Sequence, residues 1–457
     1  MTRWSIPLQH TKPSPAFLSA LAQSLLAGEA TVAGLVASAS RTLGKEWRWL
    51  RPLAHRYVER FTTQCRPRRR DVVEFLREDP GFLRAWHKPG TNLQIQAWLT
   101  SQKMLPARAA VGWNVRKMES EGELAEWLGL TVGELEWFAD LKRLTAKRRD
   151  EKLRHYCYRA LTKDTGSVRL IEAPKPRLKE IQRKILAEIL EPIPTHPAAH
   201  GFVKGRSIKT FAAPHAGRRV VLRMDLREFF PSLHGGRVQA LYRTAGYPER
   251  VADLLGGLCT NATPRDVWKD VSIDSAVLHE TRQLYAWPHL PQGAPTSPAL
   301  ANLSAYRVDC RLTGLARAAG AEYTRYADDL AFSGDEAFER SVERFALHAA
   351  AILLEEEFEV HHRKTRIMRQ GVRQYLSGLV ANEHVNIVRA DFDRLKATLT
   401  NCVLHGAASQ NRETHPKFRQ HLTGRVAFVE MINPQKGARL RKILERIDWA
   451  DAEKGLR

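Results

Sequence analysis

Three aspartates are the residues whose type and spacing best suit catalysis. Asp328 and Asp329 are adjacent inside a run of strand-forming aromatic and apolar residues, 323–332, and Asp225 ends an earlier apolar run, 220–226. Neighbouring carboxylates repel each other unless a cation neutralises them. Mg²⁺ prefers carboxylates together with substrate phosphates, and two such ions support phosphoryl transfer. A solvated acidic turn is the alternative interpretation of Asp328-Asp329 alone.

The elements that must position these acids are strands. Residues 220–226 predict a buried strand, at whose end an unpaired carboxylate is costly and a bound metal would supply the partner. Asp328-Asp329 is predicted to form the turn of a tight hairpin, because Asp is a poor strand former and Ser333-Gly334-Asp335 ends the run. Residues 155–161 and 167–171 predict a second hairpin, with Thr165-Gly166 as its turn.

The rest of the chain is mostly helical in pattern. Apolar residues at helical spacing predict a helical region over residues 1–120, and Thr131 with Glu134 forms a capping box. The other predicted elements are helices or helical regions at 178–190, 237–258, 299–315, 338–358 and 386–457, a strand after Lys364, and a strand at 374–382 that turns at Gly378.

Composition indicates a large basic globular protein. The chain has 457 residues, a net charge of +22 and 43% hydrophobic residues. This length is enough for two or three cores, and the basic surplus favours nucleic acid as a partner over colloidal solubility alone. The basic run Arg66–Arg70 and the glycine-containing stretch 200–208 could each approach phosphates, although both patterns are also common on solvated surfaces.

Cysteine usage and hydropathy indicate a cytoplasmic protein. The five cysteines are scattered, and no pair has C-x-x-C spacing. This pattern argues against a zinc module and a disulfide framework, and it suits a reducing compartment. The apolar segment 16–36 carries Gln23 and Glu29, so we expect neither export nor membrane insertion.

Five motifs follow one another along the chain: Arg169-x-Ile171-x-x-Pro174, Asp225-x-x-x-Phe229-Phe230-Pro231-Ser232, Pro291-Gln292-Gly293-x-Pro295-x-Ser297-Pro298, Tyr326-Ala327-Asp328-Asp329 and Lys364-Thr365-Arg366. In this order they resemble the motifs of bacterial reverse transcriptases. The resemblance covers residues 120–457, and the stretches 200–208 and 323–329 are most similar to retron reverse transcriptases.

The resemblance implies a role for each motif residue. Asp225, Asp328 and Asp329 would be the catalytic carboxylates that hold two Mg²⁺ ions, with help from the Leu226 carbonyl. Lys364 would be the general acid toward pyrophosphate. The deoxynucleotide would be bound by Arg169 on its triphosphate, by Phe230 as a gate against the 2′-hydroxyl, and by Gln292 and Gly293 lining the pocket. Residues 374–382 would grip the primer.

Two motifs depart from the retron pattern. Retron enzymes usually carry Asn-Ala-x-x-His after the glycine-containing stretch, whereas this chain has Phe211-Ala212-Ala213-Pro214-His215. They usually carry Val-Thr-Gly before the thumb, whereas this chain has Leu376-Ser377-Gly378. That region helps the family to recognise its structured RNA, so the RNA partner here is expected to be unusual.

The resemblance implies an α+β right-hand polymerase with an additional N-terminal helical domain. Its predicted parts are the N-terminal extension 1–120, fingers 121–219, palm 220–385 with interleaved fingers segments, and a helical thumb 386–457. The N-terminal extension has no nuclease or nucleotide-hydrolase motif, so docking of RNA or a partner is its expected task.

A retron enzyme would copy part of a cognate non-coding RNA into a short DNA joined to that RNA. It would act in anti-phage defence with a separate effector protein. The alternatives are another defence-associated or group II intron-related reverse transcriptase, and a non-catalytic RNA scaffold that restrains a toxin. The lack of an H-N-H signature after the thumb disfavours a mobile intron enzyme, and the intact set of aspartates disfavours the scaffold.

Overall fold

The structure is a computed structural model that describes residues 12–61, 66–88, 91, 93–98, 103–148, 150–162 and 168–449. The predicted turn at Thr165-Gly166 and the cysteine Cys65 lie outside these residues. Helices and sheets are mixed along the chain, as the α+β prediction requires. None of the described helices is both long and apolar enough to cross a membrane.

The described residues form the following elements. The helices are α1 Pro15–Ala27, α2 Val32–Leu43, α3 Leu50–Phe61, α4 Arg69–Glu78, α5 Pro80–His87, α6 Glu121–Leu128, α7 Val132–Ala139, α8 Pro176–Ile185, α9 Ile208–Ala212, α10 Gly235–Thr244, α11 Glu249–Cys259, α12 Ser275–Tyr285, α13 Ser297–Ser304, α14 Tyr306–Ala318, α15 Glu336–Glu355, α16 Arg389–His405, α17 Ala407–Gln410, α18 Phe418–Ile432 and α19 Pro434–Leu444. The strands are β1 Tyr156–Thr162, β2 Val168–Pro174, β3 Val220–Asp225, β4 Glu322–Tyr326, β5 Asp329–Gly334, β6 Arg366–Arg369, β7 Tyr375–Leu376, β8 Leu379–Val380 and β9 Asn386–Ile387.

The chain divides into two compact units, and each is built from separate stretches of sequence. The first unit joins the described residues as far as Pro194 with Phe230–Ser304. The second unit joins Thr195–Phe229 with the described residues from Ala305 onward. The first contains the β1–β2 hairpin, and the second contains both larger sheets.

An N-terminal helical bundle, α1–α5, forms part of the first unit. Its core is a cluster of buried apolar side chains that includes Leu21, Leu53 and Phe82. Asp79 caps α5 by accepting a hydrogen bond of 2.7 Å from the Phe82 amide, and it also pairs with Arg56. A buried carboxylate at a helix N-terminus is favourable when it has such donors.

Between residues 88 and 120 the predicted helical region is wrong for the residues that the structure describes. In this stretch the described residues contain only a 3₁₀ turn, Arg108–Ala110. The Leu105 amide donates to the Gly246 carbonyl, and the Ala107 amide donates to the Thr244 carbonyl, both at 2.9 Å. Pro106 has no amide N–H, and the amides on either side of it bond outside the segment. The segment therefore runs past the C-terminal end of α10 as extended chain and does not form a helix.

The first arginines of the basic run, Arg66 and Arg68, are partly buried. The Arg66 guanidinium donates to the carbonyls of Leu26 and Lys103, and its burial lowers the pKa of Arg66. Arg68 donates to Gln239 of α10, and Arg243 donates to the Arg66 carbonyl at 3.2 Å. The first arginines of the run therefore join the helical bundle to α10, while the Arg69 and Arg70 side chains are exposed.

The second unit is organised around a four-stranded antiparallel sheet with the strand order β4-β5-β3-β6. Its central strands are almost wholly buried. The Tyr323 and Phe332 rings stack across β4 and β5, and Phe345 of α15 lies edge-on to Phe332. A second core packs the three-stranded sheet β7-β8-β9 against α16, α18 and α19.

Several predicted elements differ in their bounds. The predicted helical region 237–258 is two helices, α10 and α11, with Gly246 at φ 101° between them. The predicted helix 299–315 is interrupted after Ser304, whose carbonyl accepts from Arg237. The α-helical part of 178–190 ends at Ile185 and continues as a π-helical turn, Leu186–Leu190.

A buried ion pair supports the hairpin formed by β4 and β5. Arg325 and Asp309 both have fully buried side chains, and two hydrogen bonds of 2.6 and 2.8 Å join them. The Tyr323 hydroxyl donates to the same carboxylate at 2.8 Å. The second Arg325 amino group donates to the Ala327 carbonyl at 3.2 Å, so this pair also fixes the turn.

We predict that Arg325→Met lowers the free energy of unfolding by about 3–5 kcal/mol, because it leaves the Asp309 carboxylate buried without its cation. The double variant Arg325→Met with Asp309→Leu should lose less, since no isolated charge remains. Urea denaturation measures both. Arg340→Met, which breaks an exposed pair with Glu336, should change nothing measurable. If Arg325→Met changed the free energy of unfolding as little as Arg340→Met, the prediction would be contradicted.

Candidate active site

The antiparallel pairing of β3 with β5 brings the three aspartates together. Asp225 and Asp329 are direct partners in this register, so their side chains project from the same face of the sheet. Asp328 lies in the two-residue turn that precedes β5, and its carbonyl accepts a 2.9 Å hydrogen bond from the Leu226 amide. The turn consists of Ala327 and Asp328, whereas Asp329 is the first residue of β5, which corrects the predicted turn at Asp328-Asp329.

Asp328 is in an environment that disfavours its charged form. Burial, together with the negative charges of Asp329 and Asp225, raises the pKa of Asp328 to about 6. Burial alone disfavours a charged carboxylate, and two like charges nearby add to that effect. The site therefore has the electrostatic character of one that a cation would complete.

Two basic side chains neutralise the other two acids. The Lys364 ammonium donates to one Asp225 oxygen at 2.9 Å, and Arg223 donates twice to one Asp329 oxygen at 2.9 and 2.7 Å. Lys364 was predicted in this site and lies there. Sequence analysis missed Arg223. The alternation of a strand could have found it, since Arg223 is two residues before Asp225 and so shares its face.

The donor set suits Mg²⁺ in its chemistry, because it consists of carboxylate oxygens and carries negative charge that burial makes costly. Within the described part of the chain, however, no three His, Cys, Asp or Glu side chains are arranged so that they could hold a metal ion together. Lys364 and Arg223 occupy carboxylate oxygens that an ion would use. The family that the five motifs resemble generally uses divalent metal ions.

The edge of the hairpin is covered by the glycine-containing stretch. The Arg325 amide donates to the Ala198 carbonyl, and the His200 amide donates to the Arg325 carbonyl, both at 2.7 Å. A Cβ atom at Gly201 would lie 2.6 Å from the Ala327 nitrogen. Gly201 therefore permits close packing against the Ala327-Asp328 turn, whereas sequence analysis considered it for phosphate contact.

A buried histidine joins the two strands of the hairpin. His215 Nδ1 lies 2.7 Å from the Ser333 hydroxyl on β5, and its Nε2 lies 2.7 Å from the Thr324 hydroxyl on β4. Burial lowers the pKa of His215 to about 3, so the ring is neutral. The Thr324 hydroxyl also donates to the carbonyl of Phe211, the residue that stands where the retron motif has Asn. The altered motif therefore still contacts the hairpin, through a main-chain carbonyl.

The four predicted nucleotide-binding residues all belong to the first unit. Arg169 lies on β2 with an exposed side chain, and Phe230 is half-buried. The Gln292 carbonyl accepts a 2.7 Å hydrogen bond from the Glu172 amide of β2. Gly293 has φ 127°, and a Cβ there would lie 3.0 Å from the Glu172 carbonyl. The Gln292-Gly293 loop thus packs directly on the strand that carries Arg169.

Glu172 anchors this arrangement from within the core. One carboxylate oxygen accepts from Asn261 and Thr263, and the other lies 2.8 Å from His289 Nε2. Although burial opposes the charged form, the Glu172 carboxylate raises the pKa of His289. Sequence analysis missed this cluster because its members are far apart along the chain.

Comparison with known proteins identifies the class. A family model for reverse transcriptase (RNA-dependent DNA polymerase) matches residues 161–379, which implies a right-hand polymerase fold. The chain is 42% identical over 339 residues to the retron Mx65 reverse transcriptase of Myxococcus xanthus, covering 74% of each chain. It is 39% identical over 336 residues to the retron Mx162 reverse transcriptase of the same organism, covering 70% of this chain and 65% of the relative.

A more distant relative is the retron Ec86 reverse transcriptase of Escherichia coli, 28% identical over 282 residues, which cover 62% of this chain and 77% of the relative. The protein therefore belongs to the retron-type reverse transcriptases. The predicted family and the predicted RNA-directed DNA polymerase activity are confirmed.

We predict a pH-dependent stability that originates at Asp328. The folded pKa of about 6 is above the ordinary value for Asp, so the folded chain binds more protons than the unfolded chain between about pH 4 and 6. Without divalent metal, the free energy of unfolding should fall as the pH rises through this window, by up to about 2 kcal/mol.

Asp328→Asn should remove this contribution and be more stable than the natural protein above pH 6. Urea denaturation with a chelator at several pH values measures the difference. Asp335→Asn is the matched control, because Asp335 is an exposed acid just after β5 that pairs with Arg218. An Asp328→Asn variant without a stability gain at neutral pH would count against the prediction.

Proposed function

We propose that this protein copies part of a cognate structured RNA into a short DNA that stays joined to that RNA. The observation that carries the proposal is the cluster of Asp225, Asp328 and Asp329 where β3 ends and β5 begins, in a chain of the retron type. The basic surplus of +22 supports a nucleic acid as template and product.

We assign the metal-binding role to the three aspartates and the Leu226 carbonyl. Asp328 is the leading candidate, since a cation would offset the burial and the neighbouring negative charges that raise its pKa. When bound, two Mg²⁺ ions would supply activation of the primer hydroxyl and charge neutralisation on the triphosphate. Lys364 is proposed as the proton donor to pyrophosphate. Its hydrogen bond to Asp225 holds the ammonium next to the carboxylates.

The nucleotide-binding role is assigned to residues of the first unit. The exposed Arg169 guanidinium has the planar fork that suits a triphosphate. Phe230 is proposed as the steric gate against a 2′-hydroxyl, and Gln292 and Gly293 as part of the pocket lining. The packing of their loop on β2 supports a common site for these residues, because it ties Gln292 to the strand of Arg169.

We also propose a role for each part of the chain. Residues 121–219 are proposed as fingers, 220–385 as palm and 386–457 as thumb, with 1–120 as an added region that docks RNA or a partner. We further propose a cytoplasmic protein that acts in anti-phage defence with a separate effector. Retron names among the relatives support this proposal.

The decisive experiment is recovery of the nucleic acid bound to the protein in its own host. After free RNA is removed, the natural protein should yield one abundant short DNA joined to one RNA. Asp328→Asn should yield none, and the control Asp335→Asn should yield the natural product. Primer extension on poly(rA)/oligo(dT) with Mg²⁺ measures the polymerase activity of each sample.

Each alternative has its own outcome in this experiment. Active primer extension with heterogeneous or absent bound DNA would indicate a reverse transcriptase of another bacterial lineage. Tight RNA binding without primer extension would indicate a non-catalytic scaffold. Either result would overturn the proposed function.

The gate at Phe230 is tested by sugar selectivity. Phe230→Ala should raise incorporation of ribonucleotides relative to deoxynucleotides by about tenfold or more, because the clash with the 2′-hydroxyl is removed. The measurement is the ratio of kcat/KM values on one template. Trp98→Ala, which removes an exposed aromatic side chain of the same unit, should leave the ratio unchanged. An unchanged ratio at Phe230 would exclude the gate.

A further inference from the structure

The turn that connects β7 and β8 contains a serine in an unfavourable conformation. Only two residues form the turn, Ser377 and Gly378, and both have positive φ, at 44° and 96°. Hairpin turns of this kind favour Asn, Asp or Gly at both positions, because other side chains clash in the left-handed region. A serine in the first position therefore calls for a compensating role.

The Ser377 hydroxyl compensates for this conformation by forming a hydrogen bond. Ser377 Oγ donates a hydrogen bond to Oδ2 of Asp329, while both Arg223 hydrogen bonds go to Oδ1 of the same carboxylate. Each oxygen of Asp329 therefore has its own protein donor. Because one donor comes from β3 and the other from the β7–β8 turn, the carboxylate is held on two sides.

The turn is firmly placed relative to the sheet. Gln374, which is buried, donates to the carbonyls of Arg218 and Met368 at 2.9 and 3.3 Å, and the Tyr375 amide donates to the Met368 sulfur at 3.2 Å. Leu376 is fully buried. These contacts tie the start of the hairpin to β6 and to the chain before β3, so Ser377 is presented to Asp329 by ordered structure.

We infer that Ser377 is a positioning residue for the carboxylate of Asp329. The left-handed conformation is retained because it aims the hydroxyl at Oδ2, and the strain is balanced by a hydrogen bond to a charged acceptor. The hairpin that is proposed to grip the primer is thereby joined directly to one of the three acids. The inference rests on the proposed catalytic role of Asp329.

Two substitutions at Ser377 separate the hydroxyl from the backbone conformation. Ser377→Gly removes the hydroxyl and relieves the strain, because glycine adopts positive φ freely. Ser377→Thr keeps the hydroxyl and increases the strain, because β-branched residues are disfavoured there. We expect kcat of primer extension to fall about tenfold or more in Ser377→Gly and to stay within about threefold in Ser377→Thr.

Stability should show the opposite order, with Ser377→Thr unfolding at a lower temperature than Ser377→Gly. The KM for deoxynucleotide should be unchanged in both variants, since Ser377 acts through Asp329. Thr414→Gly is the matched control. Thr414 also has positive φ, at 49°, but its hydroxyl donates to the adjacent Glu413 carbonyl. This control should keep the natural kcat.

The outcomes separate this inference from the proposed function. If Asp329→Asn polymerises like the natural protein, the catalytic role of Asp329 fails and the inference fails with it. If Asp329→Asn is inactive while Ser377→Gly keeps the natural kcat, only the positioning role is overturned. If kcat and unfolding temperature fall together in both Ser377 variants, the residue is merely structural and the inference is also overturned.

Discussion

Mutual repulsion of three carboxylates is the constraint on which the rest of the second unit depends. The register of β3 against β5 sets Asp225 opposite Asp329, a pairing of like charges that destabilises a sheet when it stands alone. Lys364, Arg223 and the Ser377 hydroxyl offset that cost at two of the acids. The third, Asp328, keeps an elevated pKa. Within this cluster Asp328 is therefore the acid whose charged form is disfavoured by burial and by its two neighbours.

Buried polar contacts hold the hairpin against this repulsion. The Asp309–Arg325 pair fixes the turn carbonyl, His215 bridges β4 and β5, and the 198–200 segment pairs along the free edge of β4. A buried ion pair contributes little net stability but strongly penalises any arrangement that separates its partners. These contacts therefore act to select one hairpin geometry.

Local sequence pattern was enough to predict the strands that carry the three aspartates. It was not enough to predict the contacts that hold these strands in place. The apolar run before Asp225 and the aromatic run around Asp328 predicted β3 and the hairpin. Arg325, Asp309 and His215 were not predicted as a supporting set, because their partners are distant in sequence and periodicity reports only local neighbours. The same limit applies to Arg66, whose position in a basic run suggested phosphate contact although its guanidinium bonds to main-chain carbonyls. The helical region predicted up to residue 120 was wrong in its last part because amides on both sides of Pro106 bond to the end of α10 and to the chain just after it.

The interleaving of the two units has a consequence for synthesis of the chain. The first unit is complete only when Phe230–Ser304 has been synthesised. The second unit begins with Thr195–Phe229 but also requires the chain from Ala305 onward. The apolar strand β3 therefore leaves the ribosome well before either of its sheet neighbours, β5 and β6, exists. Strands that await distant partners fold slowly and expose surfaces that aggregate. A nascent chain that ends between β3 and β5 therefore exposes an apolar strand without its sheet partners.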